Sequence, residues 1–294
     1  MVGKSKSDLV FDVFVYVILT VVLLIVVYPL YFVVIASISD PLSVLAGDVI
    51  LTPKNLNLES YKMVFRDSSV MTGYRNTIFY TVVGTTVNMV LSTAAAYALS
   101  CRNLKGKGVI LGMMVFTMFF NGGLIPTFIT INNLGLLDTI WVMILPTAIS
   151  TYNVMIMRTF FLNSIPYELQ EAAIVDGASH FNILFNVILP LSKPILAVMV
   201  LYYAVRHWNS YFSAMIYLSD HNKYPLQLVL RRILIQSQAS EESLIDAQGT
   251  FNRMLQGETM KYALIIVASA PVLCMYPFLQ KYFVQGIMVG SVKG

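Results

Sequence analysis

Long stretches without Asp, Glu, Lys or Arg dominate the sequence, and the first of them covers residues 13–39. A helix rises about 1.5 Å per residue, so about 20 apolar residues cross the hydrocarbon core of a bilayer, which is about 30 Å thick. These stretches predict six transmembrane helices with approximate bounds 13–39, 76–101, 108–132, 139–160, 194–219 and 262–280. Because only 12% of the residues are charged, against about 25% in an ordinary soluble domain, we expect an all-α polytopic membrane protein in which residues 1–294 form a single transmembrane domain.

This composition excludes a soluble enzyme, a disordered chain and a nucleic-acid-binding protein, because each of these carries far more charge. The net charge of +4 is small and dispersed, so no acidic polymer is expected as a partner. The uncharged run at residues 13–39 is too long for the apolar region of a cleaved signal peptide, and we expect it to remain as a helix. Cys101 and Cys274 lack the spacing of metal ligands or redox pairs, and we interpret both as packing residues.

The short loops predict the orientation of the chain, because cytoplasmic loops of membrane proteins are enriched in Lys and Arg. The link at residues 102–107 holds three basic residues, whereas the link around Asp138 holds none. The first link is therefore predicted to be cytoplasmic, together with both termini and the loop at residues 164–190. The loops at 40–75 and 220–261 then lie outside. They hold as many basic residues as the inner segments, but long loops translocate with less regard to charge.

The inner loop at residues 164–190 has the sequence pattern of two short helices joined by a tight turn. Ser164 is predicted to cap the first helix, which ends at Asp176–Gly177 because glycine permits a left-handed backbone. Ser179 is predicted to cap the second helix, which reaches Leu189–Pro190. A helix pair of this kind can move as a rigid body and carry a push from a cytoplasmic partner into the membrane.

The same loop resembles the signature of the permease subunits of ATP-binding-cassette (ABC) importers. That signature reads Glu-Ala-Ala, three residues, Gly, nine residues, then Ile-x-Leu-Pro. The matching residues here are Glu171, Ala172, Ala173, Gly177, Leu189 and Pro190, with Val187 where Ile is usual. The resemblance extends over nearly the whole chain and is greatest to the maltose-type carbohydrate permeases, in particular to their lipoprotein-like branch, which imports complex oligosaccharides. Further matching segments are Asn76-Thr77, Gly123 to Pro126, Leu145-Pro146, Trp208-Asn209 and Val292 to Gly294.

The resemblance implies a type I ABC importer permease fold in a bacterial plasma membrane. The loop is then the coupling helix that sits in a groove of an ATPase. The coupling residues it implies are Glu171, Ala172, Ala173, Asp176, Gly177, Ser179, Leu189 and Pro190. The implied partners are a second, similar permease subunit that completes a heterodimer, two copies of a cytoplasmic ATPase, an extracellular solute-binding protein, membrane lipid and an oligosaccharide substrate.

The chain itself is expected to be a transport subunit without an ATPase site. A phosphate-binding loop of the form G-x-x-x-x-G-K-[ST] is absent from the sequence, so ATP and Mg are expected on the partner ATPase and no cofactor or metal on this chain. An ion-coupled secondary carrier is the alternative. It is disfavoured because none of the six predicted spans contains a carboxylate that could bind or relay an ion. The motifs of intramembrane hydrolases, H-E-x-x-H and G-x-S-x-G, are also absent.

Arg206 is a charge deep within a predicted span, 13 residues after Lys193. An arginine that faced lipid there would cost at least ~2.5 kcal/mol, so we expect it to face protein or a wet cavity. Aromatic rings and amides close to it suit a sugar, whose C–H face stacks on a ring and whose hydroxyls need donors and acceptors. The residues predicted to line a substrate path are Arg206, His207, Trp208, Asn209, Tyr211 and Asn121.

Two interpretations of this segment stay open. In the first, Arg206 and His207 act as a pair that favours an oligosaccharide with a carboxylate, such as a uronate fragment, because Arg binds carboxylates through two parallel hydrogen bonds. In the second, Arg206 extends to the interface or binds a backbone carbonyl, and Trp208 belongs to an interfacial aromatic belt. Asn88, in the second predicted span, is expected to form hydrogen bonds between helices.

The outer loop after Pro225 carries apolar residues at helical spacing and predicts an amphipathic helix outside the membrane. Its apolar positions are Leu226, Val229, Leu230, Ile233 and Leu234. This helix is either a lid packed on the bundle or a docking surface for another protein.

Overall fold

Helices form the regular structure of the protein, which a computed structural model describes for residues 6–242, 260–275 and 277; no strand occurs in these ranges. The α-helices are α1 (Lys6–Ser37), α2 (Pro41–Leu45), α3 (Glu59–Arg66), α4 (Ser68–Ser100), α5 (Lys107–Phe119), α6 (Leu124–Asn133), α7 (Thr151–Ser164), α8 (Tyr167–Val175), α9 (His180–Ile183), α10 (Leu189–Leu191), α11 (Lys193–Trp208), α12 (Phe212–Tyr217), α13 (Leu226–Glu242) and α14 (Met260–Met275). Short 3₁₀-helices cover Ile140–Met143, Leu145–Thr147 and His221–Lys223, and a π-helical turn covers Leu184–Ile188. The expected all-α fold is confirmed for the described ranges.

Two of the described helices are long and apolar enough to cross a membrane as they stand, Val10–Ser37 within α1 and Ser68–Ser100, which is α4. Three pairs of helices pass the same test only when each pair is taken as one bent span, which gives up to five spans. α14 is a shorter apolar helix that begins two residues before the sixth predicted span and covers most of it. Residues 278–294, with the end of that span and the C-terminal segment, lie outside the described residues. The count of six spans stays a prediction.

Three of the predicted spans are broken where the sequence suggested one continuous helix. The chain bends by 117° between α5 and α6, at a segment that contains Gly123 with a φ of +87°. The segment 139–160 begins as 3₁₀-helix around Pro146 and turns by 49° before α7, because proline has no N–H to continue an α-helix. The segment 194–219 is interrupted between α11 and α12, where Asn209 caps α11.

The described residues form two compact units. One comprises residues 6–68, 230–242 and 260–270, and the other comprises residues 69–229, 271–275 and 277. In the first unit the segment after α2 is tied to α1, because the Tyr31 hydroxyl donates a 2.6 Å hydrogen bond to the carbonyl of Leu51. In the same unit the rings of Phe32 and Tyr262 meet edge to face, with centroids 5.8 Å apart.

The core of the second unit joins α4, α7 and α11 to the helices that follow residue 179. Its buried residues are Ala96, Tyr97, Leu99, Val154, Met157, Phe161, Ile165, Ile183, Leu184, Ile188, Met199 and Tyr203. The second helical segment of the inner loop is therefore part of the packed core. The position of this helical segment is therefore fixed relative to α11.

The two ends of α4 contact different loops of the second unit. Near the start of α4, Asn76 Nδ2 donates to the carbonyls of Asn222 (2.7 Å) and Tyr224 (3.1 Å). Just beyond its end, the Arg102 guanidinium lies over the ring of Tyr167, 3.7 Å from the centroid. A helix of 33 residues is about 50 Å long. The segment 222–224 and the inner loop therefore lie at opposite ends of one long helix.

The prediction that Ser164 caps the first loop helix is wrong. Ser164 is the last residue of α7, and α8 begins after Ile165–Pro166, where Pro166 occupies the capping position. The end of α8 is as predicted, since Asp176 caps it and Gly177 has a φ of +77°. Two backbone hydrogen bonds close this turn, from Gly177 N–H to the Ile174 carbonyl (3.0 Å) and from Ala178 N–H to the Ala173 carbonyl (2.9 Å), which is the Schellman pattern. The predicted Ser179 cap is also confirmed, since its hydroxyl accepts from the N–H of Asn182 at 3.3 Å.

At the end of the second unit opposite the Gly177 turn, Asp138, Asp220 and Lys223 form a group of ion pairs and hydrogen bonds, which we call the ionic clamp. Asp138 Oδ1 accepts from the N–H groups of Ser219 and Asp220, each at 3.1 Å. Lys223 Nζ lies 3.3 Å from Asp138 Oδ2 and 3.5 Å from Asp220 Oδ2. The N–H of Asp220, the N–H of Ser219 and the Lys223 ammonium together lower the pKa of Asp138 below its ordinary value. The pKa of Asp220 is lowered by the N–H of Asn222 and then by Lys223.

The clamp should make stability depend on pH in the acidic range. A carboxyl whose pKa is lowered by folding stabilises the native state above its unfolded pKa of about 4, and that contribution disappears as the pH falls through the folded pKa. We expect Asp138→Asn to lower the thermal unfolding midpoint at pH 7, and we expect the gap to the wild-type protein to close below about pH 4. Asparagine tolerates the positive φ of Asp138, which is 53°, so the variant removes the charge without straining the backbone. A gap that persists unchanged at pH 3 would contradict this assignment; thermal denaturation in detergent from pH 7 to pH 3 measures it.

The Gly177 turn predicts opposite effects for two Gly→Ala variants. A Cβ at Gly177 meets nothing within 4 Å, so the cost of Gly177→Ala is that of a left-handed backbone, about 1–2 kcal/mol of local stability. Gly112 also has open space but lies inside α5, where alanine is neutral or stabilising. Gly177→Asn should cost less than Gly177→Ala because asparagine tolerates this conformation. Hydrogen exchange of the α8 amides measures the loss, and equal protection in both alanine variants would disprove the account.

Candidate coupling hairpin and substrate path

The loop at residues 164–190 forms a helical hairpin whose tip projects from the second unit. We call residues 164–190 the coupling hairpin. Among the residues that the sequence singled out, Glu171, Ala172, Asp176, Gly177 and Ser179 are exposed around the tip. Ala173 is half-buried and packs against the core. Leu189 and Pro190 lie at the far end of the second helical segment, so they belong to the base of the hairpin.

The tip also exposes apolar side chains that sequence reasoning did not select. Val175 is 87% exposed and Phe181 is 75% exposed, one on each side of the Gly177 turn. Ile174 and Leu169 are also exposed on α8. Apolar side chains at such exposure mark a surface that another protein or a membrane covers. The sequence signal for this exposed apolar surface was the presence of hydrophobic residues on both sides of the Asp176–Gly177 stop.

Two contacts attach the hairpin to the end of α4, one from each side of the Gly177 turn. The Arg102 guanidinium stacks on Tyr167 at the start of α8, an interaction worth about 0.5–1 kcal/mol at an exposed site. The Tyr97 hydroxyl lies 3.3 Å from His180 Nδ1 at the start of α9. Tyr97 and His180 also line an apolar cavity of about 410 Å³, together with neighbours from α4, the 102–107 link and the second helical segment. Both helical segments of the hairpin are therefore attached to the end of the long helix α4.

The predicted substrate-path residues fall into two groups. Arg206, Asn209 and Tyr211 are exposed. His207 and Trp208 are buried, His207 with only 2% exposure, and the ring of Trp208 meets that of Tyr74 edge to face at 5.7 Å. Asn121 lies at the break between α5 and α6, where its Oδ1 accepts from the N–H of Gly123 at 2.9 Å.

The structure separates Arg206 from His207, although the two residues are adjacent. His207 Nε2 lies 2.6 Å from Asn88 Oδ1 in the packed interior. Neighbouring residues on a helix point about 100° apart, so a buried His207 leaves Arg206 on a different face. This geometry does not support their joint action on one carboxylate. Arg206 alone remains available for that role.

Asn88 forms the interhelical hydrogen bonds that the sequence predicted. Its Nδ2 donates to the carbonyls of Thr147 (2.7 Å) and Ala148 (2.8 Å). Asn88 belongs to a row of small or polar residues at spacings of three and four along the buried face of α4, a row that allows close helix packing. The members are Gly73, Thr77, Tyr80, Gly84, Asn88, Ser92 and Ala96.

The helix predicted after Pro225 is present as α13, which begins at Leu226. In the second unit its first turn is packed on α4, since the N–H of Leu226 donates to Thr77 Oγ1 at 2.8 Å. Gly73 leaves room for it, because a Cβ there would lie 3.1 Å from Val229 and 3.2 Å from Leu226. The start of α13 therefore has the packing of the predicted lid.

Comparison with known proteins agrees with this architecture. The model of the family described as "Binding-protein-dependent transport system inner membrane component" matches residues 1–289. The chain is 42% identical over 289 residues to the polygalacturonan/rhamnogalacturonan transport system permease protein YtcP of Bacillus subtilis (strain 168), covering 97% of this chain and 98% of that protein. It is 38% identical over 291 residues to protein LplC of the same organism, covering 99% and 97% of the two chains.

A solved structure is similar over the same length. It is the crystal structure of a bacterial ABC transporter involved in the import of the acidic polysaccharide alginate. One of its chains superposes with a TM-score of 0.88 at 35% identity, covering 96% of this chain and 100% of that chain. On the helical architecture, the coupling hairpin and these matches, the chain belongs to the binding-protein-dependent transport system inner membrane component family, the permease subunits of ABC importers, whose ATPase is a separate subunit.

Proposed function

We propose that this chain forms one half of the membrane pathway of a bacterial importer for acidic oligosaccharides, and that the coupling hairpin transmits the motion of the ATPase. The exposed tip at Gly177, formed by the predicted Glu-Ala-Ala spacing, is the observation that carries this proposal. The tip exposes the apolar Val175 and Phe181, one on each side of the turn, together with the charged Glu171 and Asp176 on its first side. This combination suits an apolar groove with basic residues or helix ends at its edge.

The packing of the hairpin supports transmission of a push. Its second helical segment contributes Ile183, Leu184 and Ile188 to the same core as Met199 and Tyr203 of α11. α11 follows directly after a bend of 86°. A displacement of the tip therefore moves α11 with it, because packed cores shift as units rather than deform continuously.

The contacts at the two ends of α4 support the proposed sidedness. The basic link at 102–107 touches the coupling hairpin through Arg102 and Tyr167, so both belong to one face, which we assign to the cytoplasm with both termini. The clamp at Asp138 and the segment 222–224 belong to the other face, where a solute-binding protein delivers the substrate. A second permease subunit completes the pathway as a heterodimer, and two ATPase copies hold ATP and Mg.

The acidic nature of the substrate is supported by relatives and by Arg206. The relative YtcP is described as a transporter of polygalacturonan and rhamnogalacturonan, and the similar solved structure is of an importer of alginate, an acidic polysaccharide. Arg206 is exposed on α11 next to Asn209 and Tyr211, which supply an amide and a ring. A guanidinium beside an amide and a ring suits a uronate, whose carboxylate it binds bidentately. We assign the first contact with the carboxylate to Arg206.

The coupling role predicts the effect of a charge reversal at the tip. We expect Glu171→Lys to abolish the stimulation of ATPase activity by substrate-loaded binding protein in the assembled importer, because it places a cation where the proposed groove is electropositive. Glu168→Lys makes the same change in charge on the same helix, in its first turn, and should retain most of the stimulation. Stimulation preserved in Glu171→Lys, or lost equally in both variants, would contradict the assigned role. Copurification of the ATPase with each variant checks that the complex assembles.

The substrate role predicts a selective defect at Arg206. Hydrogen bonds to charged groups contribute about 1.5–3 kcal/mol, so Arg206→Ala should reduce the uptake of uronate oligosaccharides by about tenfold or more. Uptake of neutral oligosaccharides of the same length should change little, and Arg206→Lys should be intermediate because lysine keeps the charge but not the bidentate geometry. Radiolabelled uptake into proteoliposomes measures both substrates. An equal loss for both would remove the proposed carboxylate contact.

A further inference from the structure

Three segments of the second unit meet at the side chain of Asn88. They are α4, which carries Asn88, α11, which carries His207, and the break before α7 at Thr147 and Ala148. Asn88 has no exposed surface in the described structure, and His207 has 2%. A buried amide that satisfies groups from two other segments is an arrangement that costs free energy unless every bond is made.

The hydrogen bonds fix the direction of each donor. Both N–H groups of Asn88 Nδ2 point at carbonyl oxygens, those of Thr147 and Ala148. Asn88 Oδ1 therefore faces His207 Nε2 and can only accept, so the imidazole carries its hydrogen on Nε2 and donates it across 2.6 Å. The opposite orientation of the amide would set Oδ1 against two carbonyl oxygens.

The helix α4 has a recess that fits the imidazole. A Cβ at Gly84 would lie 2.5 Å from His207 Cε1 and Nε2, closer than real Cβ atoms come to a neighbouring ring. Gly84 lies one helical turn before Asn88, so the ring rests on the glycine while its Nε2 reaches the amide. The recess therefore fits a planar side chain on α11 that donates a hydrogen bond to Asn88 Oδ1.

The carbonyls that Asn88 binds belong to an interrupted span. The 3₁₀-helix Leu145–Thr147 ends there, and α7 starts at Thr151 after a turn of 49°. Carbonyls at such a break have no partner within a helix and must be satisfied by another segment, since hydrocarbon offers no hydrogen bonds. Asn88 and His207 thus connect the helix that follows the coupling hairpin to the break in the fourth predicted span.

We propose that Asn88 and His207 form a positioning clamp that makes the break before α7 follow the movement of α11. His207 is then a positioning residue rather than a ligand of the sugar. The proposal rests on the proposed function, because the movement in question is the one that the ATPase imparts to the coupling hairpin. Without the positioning clamp, α11 still moves with the coupling hairpin, but the break before α7 no longer follows that movement. Less substrate is then transported for each ATP hydrolysed.

A second buried hydrogen bond between α4 and α11 provides the matched control. Ser92 Oγ and the Tyr203 hydroxyl lie 2.6 Å apart, one helical turn after Asn88 on α4 and one turn before His207 on α11, and this pair does not involve the break. Tyr203→Phe removes one buried hydrogen bond between the same two helices and keeps the aromatic ring that packs in the core with the coupling hairpin. A purely structural role for His207 predicts that both positions behave alike.

The test is made on the assembled importer in proteoliposomes, with transport and ATP hydrolysis measured in the same sample. We expect His207→Ala to raise the number of ATP molecules hydrolysed per substrate by about fivefold or more, the lower end of typical coupling between sites. His207→Gln, which can place an amide N–H near the same point, should restore most of the coupling. Tyr203→Phe should keep the wild-type ratio even where it lowers the unfolding temperature as much as His207→Ala does.

A steric variant tests the same clamp without changing a polar group. Gly84→Ala should displace the ring and raise the ratio as His207→Ala does. Combining Gly84→Ala with His207→Ala should add nothing further, because the ring that clashes is gone and the clamp is already open. If the double variant raises the ratio of ATP to substrate by more than either single variant, Gly84→Ala does not act through the His207 ring. That result would count against the positioning clamp.

Three results would overturn the proposal. They are an unchanged ratio in His207→Ala, an equal rise in Tyr203→Phe, and a raised KM for transport at an unchanged ratio, which would make His207 a substrate contact. The wild-type importer separates this failure from that of the proposed function. If wild-type vesicles do not couple ATP hydrolysis to uptake, the proposed function itself is wrong, whereas a coupled wild type with an equally coupled His207→Ala rejects the clamp alone.

Discussion

Hydrocarbon provides neither donors nor acceptors, and this constraint governs each break in the membrane-spanning part of the chain. α4 satisfies it as one uninterrupted helix of 33 residues. The interrupted spans around it depend on side chains instead. Asn121 accepts an N–H at the break between α5 and α6, and Asn88 binds the carbonyls left free before α7. At these two breaks an amide side chain stands where the backbone leaves the helix.

α4 also organises its neighbours, because one face carries small and polar residues at helical spacing. Gly73 admits the first turn of α13, Gly84 admits the ring of His207, and Ser92 meets Tyr203. In a membrane the apolar effect between helices is weak, so close packing and hydrogen bonds decide which faces meet. The first turn of α13, the bend before α7 and the helix that continues the coupling hairpin all take their positions from this one helix.

The sequence predicted those features that depend on local chemistry. The stop at Asp176–Gly177 and the Ser179 cap are set by a few neighbouring residues, and both are present. Ser164 is not a cap because α7 continues through it, and Pro166, which lacks an N–H, takes the capping position of α8 two residues later. Hydropathy finds the length of an apolar segment but not its bends, so the interruption at Gly123 was not predicted.

The substrate path was harder to predict because a list of neighbouring polar residues ignores the direction of each side chain. Arg206 and His207 are adjacent in the chain but point to different surroundings, and the partner of His207 lies 119 residues away on α4. Only the row of small residues on α4 could have indicated that one face of α11 was already occupied. Glu171 and Arg206 could be selected by residue type and position alone, since both lie on exposed faces.

The turn at Gly177 is closed entirely by main-chain groups, with its two hydrogen bonds running between backbone atoms of residues 173–178. The side chains that flank it, Val175 and Phe181, take no part in holding its shape. These positions can therefore change in size and polarity while the backbone of the tip stays the same. Under the proposed coupling role, a permease with such a tip can be matched to a different ATPase in evolution by exchanging surface side chains, with no change to the backbone of the turn.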